Sequence, residues 1–187
     1  MSAAPFPKSR FSDALPPEEA AARHRLIGTI ADELRKAHWN PATLPINAQR
    51  LAEGAGVEVR DRGGAQEPLY PYRGRLLYLD DRPVIEINLG EEALRRRIVL
   101  AHALGHHLLG HGPVPPETLT TLSTCCPQRI EQEAHHFALD LLMPEVAIYR
   151  LMDHGMLSAR KLAQKFQVPE ASLHERMQAL DRGSGYL

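Results

Sequence analysis

The pentapeptide His102-Ala103-Leu104-Gly105-His106 decides the fold, because it places two metal-ligand side chains four residues apart. On an α-helix, residues at this spacing lie on one face and can share one metal ion. The apolar residues around the pair also recur at helical spacing, as Leu94, Ile98, Ala101, Gly105, Leu108 and Leu109. The pentapeptide therefore predicts a helix that turns a metal site towards a partly buried neighbour.

Position 103 separates this pattern from that of an active zinc protease. In the protease form, H-E-x-x-H, a glutamate follows the first histidine and serves as general base. Ala103 occupies that position here, and its methyl group cannot accept a proton. Gly105 leaves room for another element to approach the helix closely. The pentapeptide thus predicts a metal site without the base that hydrolysis needs.

A catalytic zinc site needs a third protein ligand and one open position for water. His111 lies one residue short of the position that the extended H-E-x-x-H-x-x-G-x-x-H pattern requires. Glu131 is the better candidate, because on a helical wheel it falls inside the apolar stripe of the next long helix. A buried carboxylate needs a partner, and a metal held by His102 and His106 would be one.

His135 lies one turn after Glu131 on the same side of that helix. It could orient a ligand, act as a further ligand, or stabilise an oxyanion. Three tyrosines are further candidate oxyanion donors, namely Tyr70, Tyr72 and Tyr78.

The totals limit the class of protein. The chain has 187 residues, enough for one domain or for one domain with a small appendage. Its 22 Lys and Arg against 23 Asp and Glu argue against a broadly basic nucleic-acid binder. No apolar run could span a membrane and no signal peptide is evident, so we expect a cytoplasmic protein. Cys125 and Cys126 are interpreted as loop thiols, with a soft second metal site as the alternative.

The first half of the chain mixes helices and strands. Residues 1–17 show no periodicity and are predicted to form a flexible or surface arm. Helical patterns follow over residues 18–36 and, briefly, around Ala48–Ala52. Strand-like segments begin at Val57, at Arg75 and at Val84, and the last two form a predicted hairpin across Asp80-Asp81-Arg82.

The second half is predicted to be helical, with a helix over about 128–143, a short one near Ile148, and a pair within 158–180 broken at Val168-Pro169. We therefore predict an α+β fold, in which a small twisted sheet packs on zincin-like helices. Residues 18–150 would form the metal-binding domain and residues 151–187 a C-terminal helical subdomain with helix-turn-helix-like spacing. Because this pair is not basic overall, packing is favoured over direct DNA binding.

These residues resemble the signatures of the ImmA/IrrE family of metallo-endopeptidases. The resemblance covers roughly residues 25–180, in the right order. It rests on Ile85-Glu86-Ile87-Asn88, Arg95-Arg96-Arg97-Ile98, Ala101 to His106, Glu131 to Ala138, and Leu141-Leu142-Met143-Pro144.

The resemblance implies a gluzincin-like site, with His102, His106 and Glu131 holding zinc or, alternatively, manganese or another divalent ion. It also implies a substrate, a helix-turn-helix transcriptional repressor that is cut to relieve repression, including in DNA-damage responses. A substrate strand is expected to add to the edge of the hairpin carrying Val84 to Asn88, by β-augmentation.

Two positions depart from the family pattern. Ala103 replaces the catalytic glutamate, and His135 stands where an asparagine is usual. The chain is therefore interpreted as an endopeptidase whose base has been removed, since the rest of the site looks maintained. The alternatives are a natural pseudoprotease that holds a repressor without cutting it, and a DNA-binding regulator whose metal is structural.

Overall fold

The computed structural model describes residues 16–65, 72–112 and 129–184. Within them lie seven helices and a three-stranded mixed sheet, which confirms the predicted α+β class. In chain order the elements are α1 (Pro17–His38), α2 (Ala48–Gly54), β1 (Glu58–Arg62), β2 (Gly74–Leu79), β3 (Arg82–Asn88), α3 (Ala93–Leu108), α4 (Arg129–Leu142), α5 (Glu145–Asp153), α6 (Ala159–Phe166) and α7 (Glu170–Ser184). Most of the predicted arm, together with Tyr70, Cys125 and Cys126, lies outside the described residues.

The sheet has the order β1-β3-β2, with β3 parallel to β1 and antiparallel to β2. The predicted hairpin is confirmed, and its turn consists of Asp80 and Asp81 alone. Both have positive φ, 50° and 62°, as a two-residue turn requires if it is to match the twist of its strands. Arg82 already belongs to β3.

The expectation that a substrate strand adds to the edge of the hairpin carrying residues 84–88 stays a prediction. These residues lie in β3, which is hydrogen-bonded on both sides and has no free edge. Among the described strands, the open edges belong to β1 and β2. This strand order could not be predicted from the sequence, because β1 comes from a separate segment and its pairing with β3 has no local sequence signal.

Helix α3 lies between the sheet and α4. Gly74 brings β2 close to α3, since a Cβ at that position would lie 2.5 Å from a Val99 methyl group. On the other side, Phe137 of α4 is fully buried against the same core, as are Leu104 and Ile98 of α3. The helix with the two histidines is therefore the centre of the packing.

The C-terminal helices break where predicted. Gln167, at φ 54°, ends α6 in the left-handed conformation, and Pro169 precedes α7. Leu162, Phe166 and Leu173 join the main hydrophobic core. None of the described helices is both long and apolar enough to cross a membrane.

Candidate metal centre

Three buried side chains converge between α3 and α4. His102 and His106 are 0% exposed and Glu131 is 1% exposed. The Nε2 atoms of the two histidines lie 3.0 Å apart. The Glu131 carboxylate lies 3.2 Å from His102 Nε2 and 3.4 Å from His106 Nε2. The structure thus brings together the three residues that the sequence singled out as ligands.

The donor set fits a divalent metal ion. Ligand atoms about 2.0–2.2 Å from one tetrahedral ion lie roughly 3.3–3.6 Å from each other, close to the separations seen here. Two imidazole nitrogens and a carboxylate oxygen are a common ligand set for a catalytic zinc. Among the described residues, the buried Glu131 Oε1 has no hydrogen-bond partner. The group His102, His106 and Glu131 could therefore hold a metal ion.

The electrostatics of the group favour the protonation states that metal binding requires. Burial is the largest cause that lowers the pKa of His102, to about 4. Burial alone would raise the pKa of Glu131, but its surroundings, first of all the hydrogen bond with His102, outweigh burial and bring that pKa to about 2. At neutral pH His102 is neutral and Glu131 is ionised, as a metal site needs.

Gly105 confirms the predicted close approach, because a Cβ there would meet Phe137 at 2.9 Å and the Ala134 carbonyl oxygen at 3.1 Å. Ala103, the residue at the position of the missing base, is fully buried in the hydrophobic core.

His135 lies beside the three converging residues, with its ring centre 6.4 Å from that of His102. Its Nε2 contacts Glu175 of α7 at 2.7 Å, while its buried Nδ1 has no hydrogen-bond partner within residues 16–65, 72–112 and 129–184. The role of His135 stays a prediction, but Glu175 now links it to the C-terminal helices.

Of the three candidate oxyanion donors, Tyr72 and Tyr78 lie within the described residues, and each contacts another side chain. The Tyr78 hydroxyl lies 3.0 Å from His107 Nδ1, and the ring of Tyr72 lies under the Arg75 guanidinium.

A series of polar contacts behind His106 is not predicted by the sequence analysis. His111, which the sequence suggests only as a metal ligand, places its Nδ1 3.0 Å from His106 Nδ1. Its Nε2 lies 3.0 Å from Glu133, which also accepts a hydrogen bond from Arg23 of α1 at 2.9 Å. The sequence pattern that could have indicated these contacts is the position of Glu133 at the margin of the apolar stripe of α4.

The protonation states of Glu133 and His111 follow from their burial and their hydrogen bonds. Burial would raise the pKa of Glu133, but the hydrogen bonds from Arg23 and His111 outweigh it and lower that pKa. Burial is also the main cause that lowers the pKa of His111. Glu133 is thus a carboxylate and His111 a neutral imidazole at neutral pH.

Comparisons with known proteins agree with this geometry. A comparison with curated proteins finds no match. A solved structure, a Mycobacterium tuberculosis transcriptional regulator, superimposes with a TM-score of 0.56 at 16% identity over 85% of this chain. The chain spans about half of that protein, 51% of its length, so the likeness concerns the fold.

A family model, described as the IrrE N-terminal-like domain of the M78 peptidases, matches residues 52–178. The match includes all three converging residues and both packing helices. The chain therefore belongs to the IrrE N-terminal-like family of metallopeptidase-type proteins.

Proposed function

We propose that this chain is a zinc-dependent endopeptidase of the ImmA/IrrE type that recognises a helix-turn-helix repressor and lacks its general base. The observation that carries the proposal is the buried group of His102, His106 and Glu131, next to an alanine at position 103. Membership of a metallopeptidase-type family supports the hydrolytic class. The neighbour of similar fold is a transcriptional regulator, which is consistent with a regulatory role.

When bound, the metal supplies a Lewis acid and an acidified water molecule. His102, His106 and Glu131 would hold it, and a carboxylate at position 103 would take the proton of the water. The methyl group of Ala103 cannot do so. His135 is a further titratable group of α4 beside the site, and its Nε2 already contacts Glu175. We therefore expect binding of a substrate with little cleavage.

The C-terminal pair fits a packing role better than DNA recognition. Arg176 of α7 is 5% exposed and donates a hydrogen bond to Asp140 of α4. The Glu175 carboxylate contacts His135 Nε2 of α4. These contacts direct two polar side chains of α7 into the protein, which argues against DNA recognition by this helix.

The proposal is tested by returning a carboxylate to position 103. Ala103→Glu and Ala103→Gln, each loaded with zinc, are incubated with a peptide library and with helix-turn-helix repressors, and cleavage is followed by mass spectrometry. We expect Ala103→Glu to cleave about 10²–10⁴ times faster than the native chain. Ala103→Gln, which matches the glutamate in size but is not a base, should stay at the native rate. A zinc-loaded Ala103→Glu protein that cleaves no faster than Ala103→Gln would contradict the proposal.

A further inference from the structure

The contact between His106 and His111 restricts their protonation. Their Nδ1 atoms lie 3.0 Å apart and both side chains are almost fully buried. At this distance one nitrogen must donate a hydrogen and the other must accept it, because two lone pairs would repel each other. The direction of the bond decides which nitrogen of His106 is free for a metal.

Glu133 fixes that direction. Its carboxylate is held by Arg23 at 2.8 Å and can only accept hydrogen bonds, so His111 Nε2 must donate to it. A neutral imidazole has a single N–H, and His111 Nδ1 is therefore an acceptor. It follows that His106 donates through Nδ1 and leaves its Nε2 lone pair unprotonated, pointing at His102 and Glu131.

The backbone places His111 for this contact. Gly110, at φ 70°, ends α3 in the left-handed conformation. The amide of His111 bonds the carbonyl of His106 at 3.0 Å, and that of Gly110 bonds His107, the two bonds of a Schellman motif. The end of the helix thus folds His111 back onto its own preceding turn.

We propose that Arg23, Glu133 and His111 form a positioning relay that holds His106 in the tautomer and ring orientation able to bind the metal. The inference rests on the proposed metal centre. By contrast, His102 Nδ1 has no hydrogen-bond partner in the part of the chain that the structure describes. The two histidines therefore differ: His106 is set in advance by the relay, and His102 is held from its Nε2 side alone.

The first test measures metal affinity, with Zn²⁺ and Co²⁺ in competition with a chromophoric chelator. Groups that orient a metal-bound histidine typically contribute 10–100-fold to affinity. We expect His111→Leu to lose affinity by such a factor. His111→Asn, whose side-chain oxygen can still accept from His106 Nδ1, should retain most of it. The control His154→Leu, the same change at the exposed histidine that follows α5, should bind as the native chain does.

The second test needs no bound metal. Long-range ¹H–¹⁵N spectra of the histidine rings in the chelator-treated chain report which nitrogen carries the proton. We expect the Nδ1–H form for His106 and the Nε2–H form for His111, and loss of the preference at His106 in Glu133→Gln.

The outcomes separate the relay from the metal centre. If the native chain binds neither ion, the proposed metal centre fails, and the ring spectra still decide the relay. If the native chain binds metal and His111→Leu binds it equally well, the relay is overturned. An Nε2–H form of His106 in the metal-free chain overturns it as well.

Discussion

Gly105 of α3 lies against the backbone of Ala134 of α4 so closely that a Cβ at position 105 would come within 3.1 Å of the Ala134 carbonyl oxygen. This contact sits between the two histidines on one helix and Glu131 on the other. The separation of the helices at Gly105 therefore sets the distance between the nitrogen ligands and the carboxylate.

Gly105→Ala should move α4 away from α3, because backbone atoms of Ala134 cannot yield as a flexible side chain would. Overpacking typically costs about 1–3 kcal/mol, against about 1 kcal/mol gained from better helix propensity. We expect a net loss of up to about 2 kcal/mol in urea unfolding and weaker zinc binding.

Gly28→Ala in α1 is the matched control for that substitution. A Cβ at Gly28 meets only a carboxylate oxygen of Asp140, at 3.3 Å. This variant should be as stable as the native chain or more so, with unchanged zinc affinity. Equal zinc affinity in Gly105→Ala and Gly28→Ala would show that the close approach does not set the geometry of the site.

Breaking the buried ion pair between Arg176 of α7 and Asp140 of α4 should destabilise the fold strongly, because the remaining charge would be left without its partner. The two groups lie 2.6 Å apart with side chains only 6% and 12% exposed, and Arg176 also donates to the carbonyl of Met143. Removing one member of a buried pair typically costs about 3–5 kcal/mol. We expect a loss of that size for Arg176→Met in urea unfolding, and a smaller one for the double variant Asp140→Asn/Arg176→Met.

That comparison also tests how α7 is attached. If Arg176→Met lowered the free energy of unfolding by less than about 1 kcal/mol, the size typical of an exposed pair, α7 would pack only loosely on α4. The prediction that residues 151–187 form a separate subdomain would then gain support.

His136 should make the protein less stable in mild acid. Burial is the main cause that lowers its pKa to about 3 from an ordinary 6.5, and its ring packs edge-on against His24 at 4.3 Å. Between these pH values His136 binds a proton in the unfolded chain but not in the folded chain. The free energy of unfolding therefore falls as the pH falls from about 6.5.

His136→Leu should remove the part of this dependence that comes from His136, while His102, whose pKa burial also lowers, to about 4, keeps its own contribution. Between pH 7 and pH 5, we expect His136 to lower the free energy of unfolding of the native chain by about 2 kcal/mol. Urea unfolding with a chelator present, at both pH values, gives that difference without any effect of metal binding. His154→Leu, at an exposed histidine, should keep the native pH dependence, and a His136→Leu variant that also keeps it would refute the assignment.

The ligand group could be predicted from the sequence because it depends on local periodicity. Two histidines four apart and a glutamate inside an apolar stripe need only the helical repeat to be placed on facing surfaces. The hairpin was equally local, since its two-residue turn joins adjacent strands.

The remaining features depend on contacts between distant parts of the chain. The central position of β3 follows from its pairing with β1, which leaves β2 as the strand of the hairpin with an open edge. The relay joins Arg23, His111 and Glu133 from three segments, and Glu175 reaches His135 from α7. Helical periodicity within one segment contains no information about such partners.

The central claim is that His102, His106 and Glu131 form one metal centre, and its most direct test is a zinc titration of the native chain against Glu131→Gln, with the bound metal counted by mass spectrometry. Glutamine keeps the size of the glutamate but removes its charge, so the variant should fold. We predict one tightly bound Zn²⁺ per native chain and a large loss of affinity in Glu131→Gln. A native chain that binds no stoichiometric zinc, or a Glu131→Gln variant that binds it as tightly, would contradict the claim.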